Sequence, residues 1–252
     1  MELALSNTTN KRLLNPVKKA MMDFKLIEDG DRIAVGLSGG KDSSTLLYIL
    51  TMLQRRLPID FEIVPISLSL GFPDTDLDPM KEFTDALGQP LHVLDTAVGK
   101  ILFEVRKEKN PCSLCANMRS GILNDAAKKL GCNKVALGHH LDDALETFFM
   151  NFFFNGRLGT FQPKTYQDQS GITVIRPMIY LEEQAIIRFV ESKQIPIVHN
   201  PCPADKQTRR EEIKNLVKTL SLQYPDIRKK FLHGIKHADL SGFWRSEELT
   251  EL

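Results

Sequence analysis

Apolar residues follow two alternating rhythms along the chain. Short apolar runs of strand type occur at DRIAVGLS (31–38), FEIVPISLSL (61–70), PLHVLDT (90–96), CNKVALGHH (132–140) and ITVIRPM (172–178). Between them lie stretches with helical spacing: SSTLLYILTMLQRRL (43–57), MKEFTDALG (80–88), the segment from Pro111 to Gly131, LDDALETFFMNFFFNG (141–156) and LEEQAIIRFVESKQ (181–194). Gly88 and Gly131 are expected to stop the helices they follow. Ahead of the first strand, residues 11–28 place Leu13, Leu14, Val17, Ala20, Met21 and Phe24 near helical spacing, which predicts an amphipathic helix. RLGTFQPKTYQDQSG is predicted as loop and IPIVHNPC (195–202) as extended chain. TRREEIKNLVKTLSLQY and DIRKKFLHGIKHADL are predicted as closing helices.

Strands that alternate with helices predict an α/β fold: a doubly wound, mostly parallel sheet flanked by helices on both faces. Three segments are expected. Residues 1–28 form an N-terminal helix packed on the core, 29–202 the main domain, and 203–252 a C-terminal helical segment. Ligands on such sheets bind at the carboxyl ends of the strands, near a switch in strand order. The ends of the first, second and fourth strands read GLSGGKDS, ISLSL and LGHHLDD, and these are expected to converge.

With 252 residues, 42% hydrophobic and 26% charged, the chain has room for one large domain with at most a small appendage. No apolar run approaches the ~18 residues that a membrane span needs. The start, MELALSNTTNKRLL, lacks a basic stretch followed by an apolar one. A cytoplasmic protein with no membrane partner is therefore expected. A net charge of only +1 does not announce a nucleic-acid binder. Lys11–Arg12, Lys18–Lys19, Arg209–Arg210 and Arg228–Lys229–Lys230 read first as solvated helix faces. Any case for nucleic acid must come from chemistry.

That chemistry starts at VGLSGGKDSSTLL (35–47). Neither common phosphate-loop pattern fits: Val35 and Asp42 break the Walker sequence, and Leu37 and Ser38 break the dinucleotide one. The elements of an anion cradle are nevertheless present. Gly39 and Gly40 let backbone N–H groups approach an anion. Ser43 and Ser44 supply hydroxyls where a helix dipole favours negative charge. Lys41 adds a point charge. Asp42 would repel phosphate unless a divalent cation lay between them, so it points to Mg²⁺.

Of the four cysteines, Cys112 and Cys115 form C-x-x-C, while Cys132 and Cys202 stand alone. Cys132 reads as a small core residue. C-x-x-C serves redox pairs, zinc sites and iron–sulfur sites, and the cysteines alone leave these open. Three thiolates suit a [4Fe–4S] cluster with one iron left for an outside ligand. The run GHHLDD adds His139, His140, Asp142 and Asp143. They are able to bind metal or orient a nucleophile, and Asp142 and Asp143 equally favour the dipole of a first helical turn. If the strand continues, the two histidines point to opposite faces and at most one reaches the site.

SGGKDS resembles the PP-loop of ATP pyrophosphatases, which cut ATP between its α- and β-phosphates. Together, DGDRIAVGLSGGKDS, CSLCANMRSGIL, KVALGHHLDD, NGRLGTFQPK, VIRPM, the Pro–Cys at 201–202 and RREEI resemble the tRNA 2-thiocytidine synthetases, a branch of the tRNA thiolases. The likeness runs from about Asn10 to about Phe231.

The resemblance implies a reaction. ATP adenylates the C2 oxygen of an anticodon-loop cytidine in tRNA. Sulfur held on a three-cysteine [4Fe–4S] cluster then displaces AMP. Cys112, Cys115 and Cys202 match the cluster ligands, and Cys112 and Cys202 are counted with the catalytic residues. Ser38, Gly39, Gly40, Lys41, Asp42 and Ser43 match the ATP loop, and Asp142 and Asp143 the acidic pair beside it. Lys41, Asp42 and Asp142 carry the catalytic expectation, while Ser67, Gly138 and Asp143 border the nucleotide. A cysteine desulfurase or inorganic sulfide would donate the sulfur, and a homodimer fits the resemblance. A 2-thiouridine-forming or small-molecule PP-loop enzyme is the alternative. One departure from relatives is His199, which stands in HNPC where some carry a further C-x-x-C, and it is a candidate fourth ligand. The lack of cysteines before Cys112 or after Cys202 fits poorly with thiolases that carry zinc-binding pairs near both termini. The Phe-rich stretch 148–154 is expected to be core rather than interface.

Overall fold

The computed structural model describes residues 10–72, 76–106, 111–198, 202, 209–239, 241 and 243. Six strands form one sheet. They are β1 (Asp31–Leu37), β2 (Phe61–Ser69), β3 (His92–Asp95), β4 (Lys134–Ala136), β5 (Lys164–Gln167) and β6 (Ile172–Ile175), in the order β3-β2-β1-β4-β6-β5. Every pairing is parallel except β5 with β6. The chain steps outward from β1 through β2 to β3, then crosses to β4 on the other side of β1. The crevice beyond the ends of β1 and β4 is thus the switch point, where α/β sheets bind ligands.

The helices are α1 (Asn15–Phe24), α2 (Lys41–Gln54), α3 (Asp78–Ala86), α4 (Pro111–Lys129), α5 (Leu141–Asn155), α6 (Glu183–Lys193), α7 (Arg209–Gln223) and α8 (Ile227–Lys236). A π-helical turn at Asn10–Leu14 leads into α1. Further helical turns at Val98–Lys100 and Ile101–Val105 follow β3.

The core explains why α2 is apolar all round. Leu46, Leu47, Tyr48, Ile49, Leu50 and Leu53 are fully buried between the sheet and α6, and the Tyr48 ring meets Phe189 edge-on at 4.9 Å. Leu13, Leu14, Val17, Ala20 and Met21 of the N-terminal helix join the same core. On the opposite face, α4 contributes Leu123, Ala126 and Ala127, and Cys132 is buried with them. Ile213 and Val217 of α7 pack on Leu145 of α5.

Three expectations about local structure are corrected. Residues 164–167, expected as loop, form an edge strand that pairs antiparallel with β6 from Lys164↔Ile175 to Gln167↔Ile172. Lys-Thr-Tyr-Gln carries no apolar run, because an edge strand half-open to water needs none. The fourth strand is shorter than expected, ending at Ala136, because the chain leaves the sheet there to reach the switch point. The Phe-rich stretch is not wholly core. Phe152, Phe153 and Phe154 are 48%, 53% and 41% exposed, since the end of α5 runs past the helices that cover its start.

Candidate active site

The turn after β1 is built around the Ser43 hydroxyl. It donates to the Gly40 carbonyl at 3.0 Å and accepts from the Ser38 amide at 3.2 Å. Gly39 has φ +81°, and a Cβ there would lie 2.7 Å from Cβ of Val198, so glycine is required twice over. Gly40 is the extended N-cap of α2 and provides no side-chain cap. The amides of the first turn of α2 are therefore available to an anion.

The loop after β4 lies directly on this turn. A Cβ on Gly138 would come within 3.0 Å of the backbone of Asp42 and Ser43. The two histidines that follow diverge. The His139 ring lies tilted against Phe161 at 5.0 Å, and its Nδ1 accepts from Arg176 Nε at 3.2 Å. Burial, helped by Arg176 and Arg210, outweighs the Asp143 carboxylate and lowers His139 to about 4. His140 faces the site as the N-cap of α5. Its Nδ1 accepts from the Asp143 amide, while Asp143 Oδ2 accepts the His140 amide at 2.9 Å. Its Nε2 lies 3.6 Å from Asp42 Oδ1 and 3.5 Å from Asp143 Oδ2. The carboxylates of two separate loops thus meet across one imidazole.

Cys112 and Cys115 lie in the first turns of α4, three residues apart and on one face. Four residues before Cys202, the Val198 amide donates to the Gly39 carbonyl at 3.0 Å. All three thiols line one cavity of about 390 Å³ with Lys41, Asp42, His140 and Asp143. Burial pushes the Cys115 thiol up. Arg119 opposes this, and the neighbouring Cys202 and Cys112 add to it. Among the described residues, no set of three or more Cys, His, Asp or Glu side chains is already drawn to metal-ligand geometry. The donor set is still the right kind: three sulfurs on the lining of one cavity, with Cys132 apart in the core. His199 lies outside the described residues.

The other expected site residues are placed as follows. Ser38, Gly39, Gly40 and Ser43 shape the turn behind the cavity wall. Ser67 is buried at the end of β2, paired in register with Leu37. Asp142 does not line the cavity. It is buried behind it, where Oδ1 accepts from Arg228 Nε at 2.6 Å and Oδ2 accepts the Glu183 amide at 2.7 Å. Its geometry is that of an anchor joining the starts of α5 and α6 to α8.

Several cavity residues escaped the sequence reading. Lys41 Nζ lies 2.9 Å from Asp42 Oδ2 and 3.0 Å from Glu183 Oε1. Burial works against the Lys41 ammonium, yet these carboxylates outweigh it and its pKa is raised. Burial likewise opposes the Glu183 charge, but Lys214 and Lys41 hold Glu183 at about 2. Arg210 donates to Asp143 at 2.7 Å and to Glu146 at 3.3 Å. Arg119 lies one turn beyond Cys115 on α4. Signals for two of these were available. Glu183 opens the helix after a parallel strand, the same kind of junction as the PP-loop. Arg119 follows Cys115 at i+4, which puts it on the same helix face.

Comparison with known proteins agrees with this geometry. A PP-loop domain model matches residues 5–220. The tRNA-cytidine(32) 2-sulfurtransferase of Pelobacter propionicus is 41% identical over 230 residues, covering 90% of this chain and 86% of that protein. The enzyme of the same name from Geobacter sulfurreducens is 41% identical over 236 residues, covering 92% and 91%. Among solved structures, the U34-tRNA thiolase NcsA from Methanococcus maripaludis with its [4Fe-4S] cluster shares the fold. Its TM-score is 0.75 at 23% identity, over 90% of this chain and 78% of that one. With its cradle, its acidic loop and a family match across most of its length, the chain belongs to the PP-loop family and, within it, to the tRNA-cytidine 2-sulfurtransferases.

Proposed function

We propose that the protein is an ATP-dependent tRNA sulfurtransferase that replaces the C2 oxygen of a tRNA cytidine with sulfur, at the position 32 that its relatives' names give for them. The observation that carries this reading is the shared cavity. Lys41 and Asp42 of the PP-loop line the same space as Cys112, Cys115 and Cys202.

The residues divide the work. The open amides at the start of α2 and the Lys41 ammonium take the phosphates of ATP. Asp42 and Asp143, which meet across His140, take Mg²⁺. In the first half-reaction the cytidine C2 oxygen attacks the α-phosphorus, and the bond to pyrophosphate breaks. Lys41 stabilises charge that gathers on the departing pyrophosphate, in a site where donors are already aimed. The attachment of AMP turns a poor leaving oxygen into a good one. Cys112, Cys115 and Cys202 would hold a [4Fe–4S] cluster, which when bound supplies an iron position able to carry sulfide. The chain's part in the second half-reaction is placement. Thiols and nucleotide loop that line one cavity would make the attack positioned rather than bimolecular. Leu70, Phe72, Leu102 and Phe103 give the cavity an apolar wall that keeps water from the adenylated base.

The test is anaerobic incubation of iron- and sulfide-reconstituted protein with ATP, Mg²⁺, sulfide and unmodified tRNA, followed by mass spectrometry of the nucleosides. The expected product is 2-thiocytidine, with AMP formed in equal amount. A 2-thiouridine product would overturn the base assignment alone. Thiolation of a small molecule, with tRNA untouched, would overturn the substrate class.

A further inference from the structure

One carboxylate joins two lysines from distant parts of the chain. Glu183 Oε1, at the start of α6, accepts from Lys41 Nζ of the PP-loop at 3.0 Å and from Lys214 Nζ of α7 at 2.9 Å. All three side chains line the cavity. α7 is held by Ile213 and Val217, which pack on Leu145, and Lys214 flanks that apolar stripe on the helix. The side chain of Lys214 is 46% exposed, and an ion pair so open to water adds little to stability. Its effect is on position: it sets a second ammonium beside the one that the PP-loop provides. An ammonium has three donors, so Lys214 keeps donors beyond its bond to Glu183, while Lys41 also contacts both Asp42 oxygens. Arg210, one turn earlier on the same face of α7, is engaged with Asp143 and Glu146, on the Mg²⁺ side. Lys41 and Lys214 thus converge on one carboxylate, and Lys41 also touches Asp42 at 2.9 Å.

We propose that Lys214 is a second pyrophosphate-binding lysine of the ATP site, delivered by α7 and held beside Lys41 by Glu183. The inference rests on the ATP-dependent reading above and extends its nucleotide site to a residue of the C-terminal segment. Two lysines of different origin would share the charge of the leaving group, so the α-phosphorus bond is broken only when α7 is docked.

The test uses the full chain with Lys214→Met and Lys214→Arg. It measures binding of ATP, inorganic pyrophosphate, AMP and tRNA, together with Tm. Lys214→Met is expected to weaken pyrophosphate and ATP about tenfold or more, as loss of a charge-assisted hydrogen bond does. AMP and tRNA should stay within about twofold and Tm within about 2 °C, because an exposed pair contributes little. Lys214→Arg keeps the charge and should recover most of the loss. Unchanged pyrophosphate binding in Lys214→Met overturns the assignment, as does a loss that falls equally on AMP or on tRNA alone. A wild-type protein that binds neither ATP nor pyrophosphate overturns the ATP-dependent reading itself, and the assignment with it.

Discussion

Lys41 and Glu183, from junctions on opposite sides of the sheet centre, form an ion pair of 3.0 Å inside the candidate active site. With Asp42 on its other side, the Lys41 ammonium stays charged despite burial. Lys41→Met should cut ATP-dependent AMP formation by about 10²- to 10³-fold, the scale seen when one preorganised donor is lost. Iron content and circular dichroism should not change. Release of radiolabelled pyrophosphate is the direct measure, and activity within about tenfold of wild type would remove Lys41 from the chemistry.

Gly138 is predicted to be intolerant for a local reason. Alanine there would press on the backbone of Asp42 and Ser43 at 3.0 Å, where no side chain can move aside. The strain should cost about 1–3 kcal/mol and displace the PP-loop, so ATP affinity falls with Tm. Gly121, exposed within α4 with open space around it, is the control. Gly121→Ala should raise stability by about 0.5–1 kcal/mol, as a helix-interior glycine replaced by alanine does. Urea unfolding of the two variants side by side separates the effects.

Asp142 acts through structure. It is buried, paired with Arg228 and capped onto the Glu183 amide. Asp142→Ala strands the Arg228 guanidinium and the amide, and should cost about 3 kcal/mol. The double variant with Arg228→Met should lose less than the two singles added together, because the pair is broken only once. Additive losses would show that the pair is not coupled.

The thiols give an optical prediction. Protein reconstituted with iron and sulfide under anaerobic conditions should show the broad brown absorbance of a [4Fe–4S] cluster. The colour should be lost on Cys112→Ala, Cys115→Ala or Cys202→Ala. It should survive Cys132→Ala, whose thiol is buried in the core face covered by α4. Binding of ATP should persist in all four variants. Stoichiometric zinc with no iron uptake would point to a structural site instead.

His139 sets an acid limit on stability. Its ordinary pKa of 6.5 falls to about 4 in the fold, where it is half-buried and accepts from Arg176. A proton binds the unfolded chain first, so this contribution is whole above pH 6.5 and declines as pH falls towards 4. Between pH 6.5 and pH 5 the wild type should lose roughly 2 kcal/mol through this group. His139→Gln keeps an acceptor for Arg176 but does not titrate, so its urea midpoint should fall less over the same interval. Parallel pH profiles for the two proteins would exclude the group as the cause.

How far the sequence determines the protein is visible in particular residues. The alternation of apolar runs specified an α/β sheet, since a parallel strand buried on both faces must be apolar throughout. SGGKDS specified an anion cradle, because glycine, hydroxyl and lysine at a strand-to-helix junction have few other uses. Local patterns of this kind are written in adjacent residues. Polar edge strand β5 was hidden for the converse reason, since half-open strands require no apolar signature.

Only the tertiary structure decided who meets whom. It set Cys202 on the same cavity as Cys112 and Cys115, and bonded Val198 to Gly39, segments far apart in the chain. It separated neighbours that look alike, setting Asp143 and His140 on the cavity lining while Asp142 pairs with Arg228 and His139 with Arg176. It also brought Glu183, Arg210 and Lys214 to the PP-loop from helices whose sequences read as ordinary charged faces. The physical reason is that a charged residue on an amphipathic helix has the same local pattern whether it faces solvent or a ligand. What lies opposite depends on strand order and helix docking, which long-range packing alone sets.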